Sequence, residues 1–226
     1  MKENLWNRFL NLFFPRRCAC CKQVIAEGAL CESCLPSLKT LHSPVIPCES
    51  PLDGLTAVFY YSGAGAALMR EFKFHRQFQC YQLLLQETFE NQIDELYQKF
   101  NYSTIIPVPM YIDAKRKRGF NQSEYIASRL AKSMSLPYQP SAIKKIKSNK
   151  VQHHLSKAER AENVKNVYKV ELPHTVADKT VLLVDDITTT GATLQECAAV
   201  LKAAGAAKVY GAAVFFTPHV QPLDKV

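Results

Sequence analysis

Two adjacent aspartates followed by a threonine-rich turn are the residues best placed to do chemistry. Asp185 and Asp186 follow an apolar run at residues 181–184, and the residues after them carry hydroxyl groups and one glycine. If a helix begins after this turn, its first N–H groups carry partial positive charge, which suits a phosphate. The two carboxylates can accept hydrogen bonds from a diol or help to hold a cation. The segment therefore predicts a site for a sugar phosphate such as ribose 5-phosphate.

The turn is expected to lie between a buried strand and an amphipathic helix. Residues 181–184 are all apolar, as in a parallel strand covered on both faces. One face of the following helix carries Leu194, Cys197, Ala198 and Leu201. Ligands bind at the carboxyl ends of such strands, so the expected phosphate contacts are Thr188, Thr189, Thr190, Gly191, Ala192 and Thr193. The alternative is an ordinary capped strand–turn–helix, which does not explain the paired acids.

Positive charge is concentrated in one part of the sequence. The chain has a net charge of +8, and residues 113–169 contain fourteen Lys or Arg against four Asp or Glu. Part of this excess is the basic run at residues 115–118, which Gly119 follows. Arginine forks pair with phosphate oxygens, and a glycine lets the backbone approach a ligand closely. We therefore expect Arg116 and Arg118 to bind a pyrophosphate group, and the alternative is a basic loop before a helix.

Four of the eight cysteines are spaced as metal ligands. Cys18 and Cys21 form one C-x2-C pair, and Cys31 and Cys34 form a second. Two such pairs suit tetrahedral zinc. Four thiolates leave no open position for catalysis, so the pattern predicts a structural zinc site. A pair of disulfides is the alternative, but no secretion signal favours it. Cys20 can replace Cys21 as a ligand, and Cys48 is a further candidate ligand.

The length and composition indicate one sizeable α/β core with a small appendage. The 226 residues are 47% apolar and 21% charged, as in ordinary globular proteins. No run of about 18 apolar residues predicts a membrane span. The aromatic segment at residues 5–15 does not fit a signal peptide, because Arg8 interrupts it and no small-residue cleavage site follows. We expect a cytoplasmic protein, with peripheral contact at the inner face of the membrane as an alternative.

The sequence pattern predicts two domains, at residues 1–50 and 51–226. The first contains a helix over 1–14 and the zinc module over 15–40. In the second, strands are expected at 57–61, 104–109, 142–146, 181–184 and 208–216, and helices at 64–74, 80–100, 121–135 and after 193. This alternation predicts a parallel sheet flanked by helices. The polar stretch 147–165, with Gln152 and Arg160, is expected to be a mobile loop over the site.

Together these features resemble the ComF family, also called competence protein ComFC-like or amidophosphoribosyltransferase-like proteins. The resemblance covers nearly the whole chain and rests on motifs in a fixed order. The motifs are the two cysteine pairs, Phe72-Lys73-Phe74, Pro107-Val108-Pro109, Arg118-Gly119-Phe120-Asn121-Gln122, the set Gln152, Leu155, Arg160 and Asn163, and residues 184–193. One departure is visible, since Lys144 and Lys145 stand where the family often carries arginine.

The resemblance implies a zinc ribbon fused to a type I phosphoribosyltransferase fold. In that fold the turn at residues 188–193 would bind the 5-phosphate of phosphoribosyl pyrophosphate (PRPP). Asp185 and Asp186 would be the catalytic residues, with carboxylates that hold the ribose hydroxyls, and magnesium would bridge pyrophosphate to ribose. Because family members are associated with natural transformation, the resemblance also implies handling of incoming single-stranded DNA in the cytoplasm.

Three functions fit these observations. The first is a PRPP-binding protein of DNA uptake whose basic surface binds single strands. The second is a metabolic transferase that moves ribose 5-phosphate from PRPP to a base or an amine. The third is a non-catalytic adaptor that uses its zinc ribbon to bind a helicase or an uptake-channel protein.

Overall fold

The structure, a computed structural model, describes residues 15–38, 45–46, 48, 50–75, 77–78, 80, 82, 89–147 and 167–217. The helix predicted over residues 1–14 and most of the loop predicted over 147–165, including Gln152 and Arg160, lie outside the described residues. Within the described residues, the chain forms a five-stranded sheet, a separate two-stranded ribbon and helices on both faces of the larger sheet.

A mostly parallel sheet forms the centre of the molecule. In chain order the strands are β1 Val45–Ile46, β2 Gly54–Tyr60, β3 Thr104–Pro107, β4 Ile143–Lys145, β5 Tyr168–Val170, β6 Thr180–Thr188 and β7 Lys208–Phe216. The order in the five-stranded sheet is β1-β2-β7-β6-β3. All neighbours in it are parallel except β1, which runs antiparallel to β2 at one edge. The predicted parallel sheet is confirmed.

Helices cover both faces of this sheet. They are α1 Gly63–His75, α2 Glu90–Phe100, α3 Ile112–Arg118, α4 Gln122–Ser133 and α5 Ala192–Ala203. Within β6, Leu182 and Val184 pack into the cluster formed with α1, α2 and α4, whereas Val181 and Leu183 pack into the cluster formed with α5. Successive side chains of a strand point to opposite faces, so the apolar run is buried on both sides. Among the described residues, no helix combines the length and apolar composition of a membrane span.

The central strand β6 extends further than the sequence predicts. The expected strand ends at residue 184, but pairing with β7 continues through Asp185 opposite Ala213 to Thr188 opposite Phe216. Because β7 is equally long, its backbone groups satisfy those of the acidic segment, whatever the polarity of the side chains. The sheet itself, rather than a loop, therefore holds both aspartates.

The segment at residues 142–146 forms a strand outside the main sheet. β4 pairs antiparallel with β5, with Lys144 opposite Lys169. The two strands flank the polar stretch after residue 147, and their pairing brings the ends of that stretch together. The expected alternation of parallel strands after residue 100 does not hold for this segment, because β5 offers it a closer partner.

The basic run at residues 115–118 is helical and is not a loop. It belongs to α3, which ends at Arg118 and is capped by Gly119, where φ is 86° and the N–H donates to the Lys115 carbonyl at 2.6 Å. Glycine adopts this conformation without a steric penalty. The next helix, α4, begins after Asn121, whose side chain accepts a hydrogen bond from the Ser123 N–H at 3.1 Å. The two helices are therefore joined by a tight connection.

The cysteine-rich segment packs against α1. Ala19 and Ala29 of that segment belong to the same core cluster as the apolar face of α1. Glu71 of α1 is 7% exposed. It forms an ion pair with Lys22, and the Nδ1 of His75 lies 3.0 Å from its carboxylate. Apolar packing and charge thus join this segment to the sheet, and the domain boundary at residue 50 stays a prediction.

Candidate functional site

A cleft of ≈ 170 Å³ opens where β3 and β6 end at the same edge of the sheet. Residues from α1, α3, α4, the ribbon, β6 and α5 line it. The carboxyl ends of parallel strands meet at this edge, where ligands bind in open α/β sheets. The titratable lining residues are Lys73, Arg118, Lys145, Tyr168, Asp185 and Asp186. The structure thus brings both predicted acids to one cleft.

The two aspartates are fixed by different partners. The Asp185 carboxylate accepts hydrogen bonds from the Ser123 hydroxyl and from the Asp186 N–H, both at 2.9 Å. The Asp186 carboxylate accepts one from the Ile187 N–H at 2.7 Å and lies 3.0 Å from the Lys73 ammonium. A carboxylate offers about four acceptor positions. Both acids can therefore bind further donors or a cation while they keep these partners.

The threonine-rich turn lies between the acids and α5. Gly191 precedes the first residue of α5 and has a φ of 76°, which favours glycine. Thr188 is buried at the end of β6, whereas Thr189 and Thr190 are exposed. Thr193, in the first turn of α5, lines the cleft. A helix N-terminus with adjacent hydroxyl groups can bind a phosphate here.

The two predicted arginines lie in different places. Arg118 lines the cleft, and its Nη1 donates to Gln122 Oε1 at 2.8 Å. The Arg116 side chain is 75% exposed, and its Nη1 lies 3.6 Å from Asp113 Oδ1. Since α3 is a helix, residues two positions apart point in different directions. The structure therefore brings Arg118 to the acids but not Arg116.

One buried donor at the cleft has no partner among the described residues. This donor is the Nε2 of Gln122, a residue that is 1% exposed at the start of α4. An unpaired buried donor costs about 1–3 kcal/mol. A ligand oxygen placed there would satisfy it, and the N-terminus of α4 adds favourable potential for an anion. The cleft can thus take a second anionic group besides one at the threonine turn.

The four predicted cysteine ligands come together. The sulfur atoms of Cys18, Cys21, Cys31 and Cys34 all lie within 4.8 Å of one another. Sulfurs that share one tetrahedral zinc lie about 3.8 Å apart, given a Zn–S distance of about 2.3 Å. The group can therefore bind a metal ion. Cys20 is exposed and is not part of the group.

Known proteins resemble this chain over most of its length. Residues 121–225 match the family model described as a phosphoribosyl transferase domain. The DNA utilization protein YhgH of Salmonella typhimurium is 31% identical over 203 residues, which cover 85% of this chain and 86% of YhgH. Competence protein F of Haemophilus influenzae is 27% identical over 222 residues, which cover 87% of this chain and 95% of that protein. The chain belongs to the ComF family.

The fold of this ComF-family protein is the type I phosphoribosyltransferase fold, with a parallel sheet flanked by helices. Among solved structures, adenine phosphoribosyltransferase from Saccharomyces cerevisiae is 15% identical. The similarity covers 82% of this chain and 86% of that one, with a TM-score of 0.42.

Burial shifts the pKa values of two charged groups in the cleft of this ComF-family protein. Burial and the neighbouring Asp186 carboxylate raise the pKa of Asp185 from 3.8 to about 7. Hydrogen bonds from the Ser123 hydroxyl and the Asp186 N–H, together with the Lys73 charge, oppose this shift without cancelling it. Burial also lowers the pKa of Lys145. A cation or a hydroxyl donor bound to Asp185 would favour its ionised form.

Several residues of the ComF cleft are not among those predicted from the sequence. Lys73 lies between two aromatic residues in the motif Phe72-Lys73-Phe74, and this motif is the feature of the sequence that could have indicated a role for Lys73 in the site. Ser123 and Tyr168 carry no such signal, since one looks like part of a helix cap and the other like a strand residue. Tertiary contacts alone bring them to the acids.

Proposed function

We propose that this ComF-family protein binds PRPP with magnesium in the cleft at the carboxyl end of β6. The supporting observation is that Asp185 and Asp186 lie in one cleft beside the turn at residues 188–193. The turn would bind the 5-phosphate, and the two acids would accept hydrogen bonds from the ribose hydroxyls. Arg118 and Gln122 would bind the pyrophosphate through their N–H groups.

The chain's residues would act mainly by positioning and by charge. Displacement of pyrophosphate from the anomeric carbon leaves positive charge on the ribose ring. The carboxylates of Asp185 and Asp186 would stabilise this charge, and Lys73 and Arg118 would offset the negative charge of the leaving group. The acceptor would be a base or an amine. Lys145 and Tyr168 would cover one side of the cleft and limit access of water.

Two metal ions are part of this proposal. Carboxylate oxygens are the ligands that magnesium prefers, so Asp185 and Asp186 would help to hold a magnesium ion that arrives with the pyrophosphate. Zinc would bind the four cysteine sulfurs, whose close spacing fits one tetrahedral ion. Because four thiolates fill its coordination shell, the zinc would stabilise the fold of residues 18–34 and would not take part in catalysis.

We also propose that the protein handles single-stranded DNA during competence, in the cytoplasm. The two curated relatives are named for DNA utilization and for competence. A net charge of +8 gives the chain a sequence-independent attraction for the DNA backbone. A helicase or channel protein that binds the cysteine module is the alternative partner.

Calorimetric titration of PRPP in the presence of magnesium tests the ligand. We expect saturable binding, and a loss of at least about 100-fold in affinity for the Asp185→Asn/Asp186→Asn variant, because hydrogen bonds to charged groups contribute about 1.5–3 kcal/mol each. The matched control is Asp113→Asn/Asp178→Asn, which makes the same two chemical changes at exposed positions. Equal affinities in the two double variants would refute the proposed site.

The same variants separate transfer from an adaptor function. A transferase should release pyrophosphate from magnesium–PRPP when the right base or amine is present, and the Asp185→Asn/Asp186→Asn variant should not. Normal transformation by that variant, with loss of transformation after Cys31→Ser, would favour the adaptor.

A further inference from the structure

An aromatic pocket beside the cleft takes no part in the proposed binding of PRPP. Its volume is ≈ 380 Å³, and its walls come mainly from Phe78, Phe120, Tyr125 and Tyr138. Small-ligand pockets have volumes of about 300–1,000 Å³. The pocket shares Asn121 with the PRPP cleft. Phe78 is 39% exposed, so a ligand can reach the aromatic surface from solvent.

The aromatic rings hold one another in place. The centroid of the Phe78 ring lies 5.0 Å from that of Tyr125 and 5.5 Å from that of Phe120. Both of these rings also contact the fully buried Phe72, at 5.6 Å and 5.2 Å. The Tyr138 hydroxyl donates to the Glu124 carbonyl at 3.2 Å. A preformed aromatic surface binds a planar ring with little loss of side-chain entropy.

Polar and charged groups surround this apolar surface. The Ser128 hydroxyl lines the pocket and donates to the Tyr125 carbonyl at 2.9 Å, which leaves its oxygen as an acceptor. The Glu124 carboxylate lies 2.7 Å from the Lys115 ammonium, so the pair is electrically neutral. The Arg129 guanidinium lies 5.9 Å from the centroid of the Tyr125 ring. The pocket thus combines ring faces, hydrogen-bond acceptors and a nearby positive charge.

We propose that this pocket binds an unpaired base of single-stranded DNA by stacking. The proposal rests on the DNA part of the proposed function. Aromatic faces bind any base, since every base has a π-face. The Ser128 hydroxyl can accept from the N–H groups of a base, while Arg129 attracts the adjoining phosphates. Because Asn121 lines both pockets, the stacked base lies next to the PRPP cleft.

Fluorescence anisotropy with two labelled strands of equal length separates base binding from phosphate binding. One strand is oligothymidylate, and the other is an abasic strand with the same phosphates. We expect the wild-type protein to bind oligothymidylate more tightly. Phe78→Leu should weaken that binding by about 5- to 150-fold, the range for loss of one stacked base, and should leave abasic binding unchanged. Phe74→Leu is the matched control, because Phe74 is 69% exposed and does not line the pocket.

The outcomes distinguish this proposal from the proposed function. If the wild-type protein binds both strands equally, the stacking pocket is overturned, whether or not the variants fold. The same holds if Phe78→Leu and Phe74→Leu have equal effects. If the wild-type protein binds neither strand, the DNA function and the pocket both fail, while PRPP binding is judged by its own titration. Thymidine monophosphate that competes as well as the whole strand would overturn the assignment to a strand.

Discussion

The carboxyl group of Asp185 is partly buried and lies next to a second carboxylate, and both effects oppose its ionisation. They raise its pKa from 3.8 to about 7 in the folded protein. In the unfolded chain the group returns to its ordinary pKa. At pH values between these two pKa values, the folded state binds more protons than the unfolded state. The free energy of unfolding should therefore fall as the pH rises through this window.

Substitution of this residue should remove that pH dependence. In the wild-type protein, ionisation of Asp185 should lower the free energy of unfolding by at most about 4 kcal/mol between about pH 4 and about pH 8. Asp185→Asn should lack this decrease, and urea unfolding at several pH values measures it. Asp178→Asn, at an exposed position, should keep the wild-type slope. A wild-type slope in Asp185→Asn would show that another group is responsible.

Two neighbouring cysteines should differ in their effect on zinc. The sulfur of Cys21 lies with those of Cys18, Cys31 and Cys34, whereas Cys20 is exposed outside the group. We expect Cys21→Ser to lose bound zinc and Cys20→Ser to retain it, as measured by colorimetric zinc release from purified protein. The two variants carry the same change at adjacent positions, so each is the control of the other. If Cys21→Ser retained its zinc, Cys21 would not be one of the zinc ligands.

At the scale of elements, α1 contacts the cysteine segment and the cleft with side chains two residues apart. Glu71 pairs with Lys22 of the cysteine segment, and Lys73 pairs with Asp186 in the cleft at the end of β6. Glu71 is nearly buried, so its charge depends on its partners for compensation. The position of this helix therefore affects both the cysteine segment and the acids.

Loss of the Glu71 charge should loosen the cysteine segment. We expect Glu71→Gln to speed amide hydrogen exchange in residues 18–31 by roughly fivefold or more, since a neutral side chain loses the ionic attraction to Lys22. Exchange in β6 and β7 should not change. Glu95→Gln, on the exposed side of α2, is the matched control and should behave as the wild type. Equal protection in both variants would mean that apolar packing alone holds the segment.

Long apolar patterns allowed the best predictions of elements. The buried face of α5 and the bounds of β7 agree with the sequence prediction, because many regularly spaced apolar residues specify each of them. By contrast, α3 has no buried residue and β5 has only three residues, so neither shows a regular spacing of apolar residues in the sequence. The same limit applies to the site. The adjacent acids Asp185 and Asp186 can be recognised as site residues from the sequence. By contrast, Lys73 and Ser123 reach the cleft only through the packing of α1 and α4.

At the scale of the whole molecule, the cleft and the aromatic pocket both depend on α4. Its first turn supplies Gln122 and Ser123 to the cleft, and Tyr125 and Ser128 line the aromatic pocket. The opposite face of the helix packs on β3 and β6 through buried residues such as Ile126. The sheet thus fixes the position of both pockets through one helix.

The strand order has a consequence for synthesis on the ribosome. β2 is made early, yet its parallel partner is β7, with Gly54 opposite Tyr210. Until β7 leaves the exit tunnel, one edge of β2 and one edge of β6 have unpaired N–H and C=O groups. The nascent chain therefore has two unpaired strand edges that can associate with other proteins while most of its length is already outside the ribosome. Protection by chaperones matters most during this interval. Emergence of a single late strand joins both halves of the sheet and ends that exposure.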